Sequence, residues 1–387
     1  MRAAVLAGCL LVATTATAAA DTAAVDPFAG TQIIYARGTA LYRSDARGRG
    51  ETELVQLPAK VAVRALRTDA AGRVLLADLD GRWSWMLLDG SARALADLPC
   101  ADGPAQLATD GACVLCRSQQ SPDKSIIVNL ATGKLTPIDV PAPGSRLVGS
   151  GAERRLVWAD AGGVWSAAPG NPRKRVKLAP EAPLRGFLPS PDGKRAVGVY
   201  TDVIHPTPRT TKPADMLMGF ALDGQGARRK SVRDSVPVEW SHDGNWVLVQ
   251  DGSKACIVKA MGGQYKCWKG YTAVSIAPDG SYALILGNRD KAADKPSKSS
   301  KQDKKGKKGK KDKKRKKQPD RDEPKAEPQD EPELSTGDDT PIDDVPVPPP
   351  SGPLALYRGK LDGAFTESPG LVVRVVEGAA VWIPTQP

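Results

Sequence analysis

The stretch Ser190-Pro191-Asp192-Gly193-Lys194-Arg195-Ala196-Val197-Gly198-Val199 reads as a tight turn feeding a strand. Proline presets the backbone at the first turn position, the Asp side chain bonds back to the main chain, and glycine takes a positive φ. The short run of branched and small apolar residues behind it reads as a strand. Two stretches repeat the pattern: Ser241-His242-Asp243-Gly244 ahead of Asn245-Trp246-Val247-Leu248-Val249, and Ala277-Pro278-Asp279-Gly280 ahead of Ser281-Tyr282-Ala283-Leu284-Ile285. Weaker copies stand at Thr68-Asp69-Ala70-Ala71-Gly72, Thr109-Asp110-Gly111 and Gly149-Ser150-Gly151.

From Gly72 the turn glycines fall at Gly111, Gly151, Gly193, Gly244 and Gly280, intervals of 39, 40, 42, 51 and 36 residues. A period near 40 built of strands is that of a β-propeller, whose blades are four-stranded sheets. One unit divides into strands at 61–68, 73–79, 82–88 and 92–98, with Asp80-Gly81 and Asp89-Gly90 at turns. Strands at 32–36, 40–43 and 53–57 combine with 371–376 and 380–383 into a last blade shared by both chain ends, which hides the sheet edge. The expected fold is therefore all-β, a propeller of seven blades over 30–387, with six or eight as the alternatives.

Composition agrees. The 387 residues are 41% hydrophobic, enough for a core, while 38 Gly and 33 Pro disfavour a helical protein. Only two histidines, His205 and His242, are present, so multi-histidine metal sites and most His-based catalytic sets have nothing to be built from. No Gly-x-Ser-x-Gly elbow occurs. The evident Asp residues of the repeats belong to turns, so no catalytic residue, cofactor or metal ligand is assigned. Trp85, Trp158, Trp165, Trp240 and Trp382 are read as core.

Residues 1–20 form a secretory signal: Arg2, an apolar run to Val12, then Ala16-Thr17-Ala18-Ala19-Ala20 ahead of Asp21. Leu6-Ala7-Gly8-Cys9 resembles a lipobox but comes too early to leave an apolar run. No stretch of about 20 apolar residues suits a transmembrane helix. Export permits disulfides among Cys100, Cys113, Cys116, Cys256 and Cys267. Cys256 and Cys267 lie symmetrically about Ala260-Met261-Gly262-Gly263, so a hairpin sets them opposite each other as the expected disulfide. Cys113 and Cys116 lack a second metal-spaced pair and are read as structural, with one bridge to Cys100.

The segment 289–352 is an insertion. Gly280 to Gly378 spans 98 residues, and removing these 64 restores the period. Nearly devoid of apolar residues, it is expected to be disordered. Residues 289–317 carry 16 basic and 4 acidic residues; 318–352 carry 2 and 11. The cationic run Lys304, Lys305, Lys307, Lys308, Lys310, Lys311, Lys313, Lys314, Arg315, Lys316 and Lys317 suits anionic envelope polymers or lipid headgroups, or is a solvated spacer. Nucleic acid is disfavoured, because no aromatic residues interleave for base stacking. The 51-residue interval holds a second long loop, 202–215, with His205, Arg209 and Lys212 among Pro206, Pro208 and Pro213. Both insertions follow the second strand of their blade, so both are expected on one face, two blades apart.

The Ser-Pro-Asp-Gly-Lys-Arg pattern at 190–195 together with Met216-Leu217-Met218-Gly219-Phe220-Ala221-Leu222-Asp223-Gly224 resembles the WD40-like PD40 repeat of the TolB-type propeller family. The resemblance implies a periplasmic or outer-envelope propeller that binds proteins. TolB-type proteins carry an α/β domain ahead of the propeller, whereas here the first strands are expected from about residue 31, so only the repeat fold and a binding tendency carry over. The expected function is a non-enzymatic interaction scaffold binding protein partners through the face that carries 202–215 and 289–352. The alternatives are an enzyme or small-ligand receptor using the central channel, and a lysine-mediated binder of envelope polymers.

Overall fold

The computed structural model describes residues 28, 31–91, 94–140, 144–179, 183, 185–207, 210–223, 228–233, 235–288, 354–361 and 368–384, with backbone alone for 202–207, 210–212, 214 and 228–233. Twenty-eight strands among these residues pair into seven four-stranded antiparallel sheets. The first blade is β1 (Thr31–Arg37), β2 (Ala40–Asp45) and β3 (Thr52–Gln56) with the last strand of the chain, β28 (Ala380–Pro384), innermost. The second is β4 (Val63–Thr68), β5 (Val74–Leu79), β6 (Arg82–Leu87) and β7 (Ala96–Asp97). The third is β8 (Gln106–Leu107), β9 (Cys113–Arg117), β10 (Ser125–Asn129) and β11 (Leu135–Ile138). The fourth is β12 (Ser145–Val148), β13 (Arg155–Asp160), β14 (Gly163–Ala167) and β15 (Val176–Ala179). The fifth is β16 (Arg185–Pro189), β17 (Arg195–Thr207), β18 (Thr210–Ala221) and β19 (Arg228–Arg233). The sixth is β20 (Ser235–Trp240), β21 (Trp246–Asp251), β22 (Lys254–Lys259) and β23 (Tyr265–Lys269). The seventh is β24 (Tyr271–Ile276), β25 (Tyr282–Asn288), β26 (Leu354–Lys360) and β27 (Gly370–Val376).

Both faces of each blade are apolar, because every blade packs on two neighbours. Seven buried clusters lie one at each blade junction. The two-residue period of a strand sorts side chains between them. Ile34 joins the cluster with blade two and Ile33 the cluster with blade seven; Leu75 and Leu76 divide likewise between blades one and three.

The chain ends close the ring. β28 pairs with β1 from Thr31↔Pro384 to Tyr35↔Ala380, so the first blade takes one strand from the C-terminus and three from the N-terminus. The strand at 371–376, which the spacing groups with the closing blade, is instead the outer strand of blade seven, paired with β26. The sequence around Gly378 makes the seam tight. With φ +86°, a Cβ there would stand 2.3 Å from the Val63 carbonyl oxygen.

The repeat turns hold by the expected chemistry. Ser190 Oγ accepts from Arg195 N at 3.0 Å, and Asp192 Oδ1 from Lys194 N at 3.0 Å. Ser241 and Asp243 repeat this with Trp246 N and Asn245 N. Cysteines 256 and 267 form a cross-strand disulfide between β22 and β23, and Cys100 is bridged to Cys116. Cys113 stays a buried thiol beside the Arg154 guanidinium.

Gly90 has a similar φ of +83° with open space around it. Gly90→Ala therefore costs only the left-handed penalty of about 1–2 kcal/mol, while Gly378→Ala costs more because the Val63 carbonyl must move. Urea unfolding of the two variants checks the order. Removing Cys256 and Cys267 together lowers stability by about 2–4 kcal/mol in the same assay.

Candidate functional site: the axial channel and its upper rim

In each blade the chain enters the innermost strand at one rim, here called upper. The links between second and third strands and between blades also lie there, while the repeat turns lie on the lower rim. The lower rim is drawn together by turn-to-turn backbone bonds: Ala70 N to Thr109 O at 3.1 Å, Gly149 N to Pro191 O at 3.4 Å and His242 N to Pro278 O at 2.9 Å. His242 takes the place proline holds in the neighbouring turns. Burial pulls its pKa down, against the opposing pull of Asp69 and Asp243.

The upper rim is irregular at two places. The expected loop 202–215 is mostly strand: β17 and β18 are 13 and 12 residues long and pair on from Thr201↔Asp215 through Ile204↔Lys212 to Thr207↔Thr210. β-Branched Val203, Ile204, Thr207, Thr210 and Thr211 favour this ribbon over an open loop. Its prolines are tolerated because pairing with β16 reaches only Val199 on β17 and pairing with β19 only Met216 on β18, leaving both edges of the extension unpaired. About six residues beyond the blade project it roughly 20 Å. Asp215 clamps its base, receiving Thr201 Oγ1 at 3.1 Å and Arg185 Nη2 at 3.2 Å. His205 and Lys212 lie on the two strands of this hairpin, and Arg209 lies outside the described residues.

The second place is in blade seven, where Asn288 and Leu354 are a paired position at the upper rim. The chain between them, 289–353, leaves and returns there. That segment, with the run from Lys304 to Lys317, lies outside the described residues, as does the expected leader 1–20. The departure point and the hairpin share the upper rim, two blades apart.

The channel opens at this rim into a cavity of about 610 Å³ walled by blades one, two, six and seven. A smaller space of about 130 Å³ lies towards the lower rim. Arg67, Val238 and Glu239 line both, which makes them the waist. Arg67 and Glu239 occupy equivalent positions, two residues ahead of the first turn residues Asp69 and Ser241. Behind them the second strands set fully buried Leu76 and Leu248. Single-residue bulges at Arg64, Val238 and Val274 kink three inner strands beside the cavity, and all three residues line it.

Glu239 Oε2 accepts from Ser275 Oγ and from Ile276 N, each at 2.8 Å. Ser275 Oγ in turn accepts from Trp382 N at 3.2 Å, so the carboxylate ties blades six, seven and one together. Burial holds the Glu239 carboxyl above the usual carboxylate range, against those two donors and Arg67. Burial also lowers the Arg67 pKa, offset in part by Glu239 and Asp78. Neither residue stood out in the sequence. Their signal was an Arg and a Glu at one repeat position of the inner strands β4 and β20.

No family model matches the chain, and no curated protein matches it. Solved structures do. TolB from Acinetobacter baumannii is 13% identical with a TM-score of 0.42, over 60% of this chain and 62% of that one. Kuenenia stuttgartiensis hydrazine synthase is 13% identical, TM-score 0.41, over 59% and 75%. The dihydro-heme d1 dehydrogenase NirN in complex with DHE is 12% identical, TM-score 0.45, over 93% and 76%. The fold assignment rests on the strand pairing itself.

Above the usual carboxylate range the unfolded chain has released the Glu239 proton while the folded one still holds it, so this group lowers stability as pH rises through that window. Glutamine does not titrate. The unfolding free energy of Glu239→Gln relative to the parent therefore climbs from about pH 4 upward and then levels off, as urea midpoints taken at unit pH steps will show.

Proposed function

We propose that the protein is exported and works in the periplasm or outer envelope as a non-enzymatic scaffold whose partner surface is the upper rim. One observation carries this reading: the two departures from the regular blade, the β17–β18 hairpin and the 289–353 excursion, leave the ring on the same rim, around the wide mouth of the channel. A rigid ring whose two longest excursions leave from one face has the form of a recognition platform. The leader-like 1–20 and the two disulfides support an oxidising compartment.

The partner class favoured is protein, as in the PD40 resemblance. The cationic run in 304–317 adds attraction for anionic envelope polymers or lipid headgroups, an attraction that fades with salt. No helix among the described residues is long and apolar enough to cross a membrane.

The test is crosslinking and affinity purification from native envelope extracts with three proteins: the exported chain, a version lacking 289–352, and one whose hairpin is shortened by joining Asp202 to Ala214 through Asn-Gly. Loss of a specific partner with either variant is the expected result. Retention of every partner by both removes the upper rim as the docking face. Salt titration separates the polymer component, which should weaken steeply between low and physiological ionic strength.

A further inference from the structure

We infer that the upper axial cavity binds a small zwitterion with an apolar body, its carboxylate on Arg67 and its ammonium on Glu239. The inference is independent of the rim reading, since it concerns the inside of the ring.

The cavity, about 610 Å³, is in the size range of small-molecule sites. Its walls are largely aliphatic, with Val61, Val238, Val274, Leu286 and Leu354 among the lining residues. Its floor carries two charges from opposite parts of the ring, Arg67 from blade two and Glu239 from blade six. Among the described residues Arg67 has no hydrogen bond and no ion pair within 4.0 Å, only the longer-range pull of Glu239 and Asp78, and its buried Nε has no partner. A guanidinium is a rigid fork of donors whose geometry matches a carboxylate. Glu239 is half used: Ser275 and Ile276 both bond Oε2, and among the described residues Oε1 has no donor.

The two groups select the ligand together. At a pH above the raised titration range of Glu239, where it is a carboxylate, a simple anion satisfies Arg67 but faces that charge, and a simple amine has the reverse difficulty. A molecule that holds both charges satisfies both and leaves its apolar part against the valines and leucines. Free amino acids and short peptides with aliphatic side chains have that form. The bulges at Val238 and Val274, and the hydrogen bonds that fix Glu239, set the site on the inner strands rather than on loops.

The experiment uses the exported full-length protein, alone, in calorimetry and thermal-shift titrations. The probes are leucine, the dipeptide Leu-Leu, 4-methylpentanoate, which lacks the ammonium, and 3-methylbutylamine, which lacks the carboxylate. At least one zwitterion should bind at least tenfold more tightly than both single-charge analogues. Arg67→Met should abolish the preference over the amine, and Glu239→Gln the preference over the acid. No binding of either zwitterion at millimolar concentration, or equal binding of the analogues by the parent protein, overturns the proposal. The analogue series on the parent decides the matter even where a variant fails to fold.

Discussion

The structure depends on the pairing of β28 with β1. Six blades can be laid side by side by their own hairpins, but a row of blades has two open edges and no channel. Placing Ala380–Pro384 as the inner strand of the N-terminal blade removes both edges at once and fixes the ring at seven. The seam is reinforced on both sides. Trp382 and Ile383 enter the clusters with blades seven and two, and Trp382 N joins the Ser275–Glu239 chain of hydrogen bonds. Closure thus reaches the floor of the channel through one polar link in a core that is otherwise apolar.

Closure also explains the contrast between the two ends of the channel. At the lower rim the repeat turns bond one to the next through their backbones, which draws the inner strands together. At the upper rim the chain must make blade-to-blade links and second-to-third-strand links of unequal length. Elaboration is tolerated there, because a loop that already leaves the blade can lengthen at small entropic cost. The wide mouth, the projecting hairpin and the departure at Asn288 are consequences of one geometric asymmetry.

The repeat was legible because its turns use side chains with one local job. Serine or threonine, aspartate and glycine act within five residues, so their spacing reports the blade period without tertiary knowledge. The strand 371–376 was misgrouped because a strand's pattern says that it is paired but not with which neighbour. The extra length of the 51-residue interval reads as a loop at 202–215, although its β-branched residues sustain a two-stranded ribbon once the flanking strands end. Arg67 and Glu239 escaped notice for a different reason. Arg67 shares its strand with Arg64 and Glu239 is one charge among apolar residues, so neither marks a site alone, and only ring closure brings blade two opposite blade six. Cys113 likewise reads as half of a Cys-x-x-Cys pair, yet period two sends it and Cys116 to opposite faces, and only Cys116 meets Cys100.

Native-state hydrogen exchange on the full-length protein tests the ring most directly. If β28 closes the propeller, the amides of Ile383 and Val381 and those of Ile34 and Ala36 should exchange together, with the opening free energy of global unfolding. Rapid, independent exchange of β28 while β1 to β27 stay protected would contradict closure, and with it the channel and the single elaborated face.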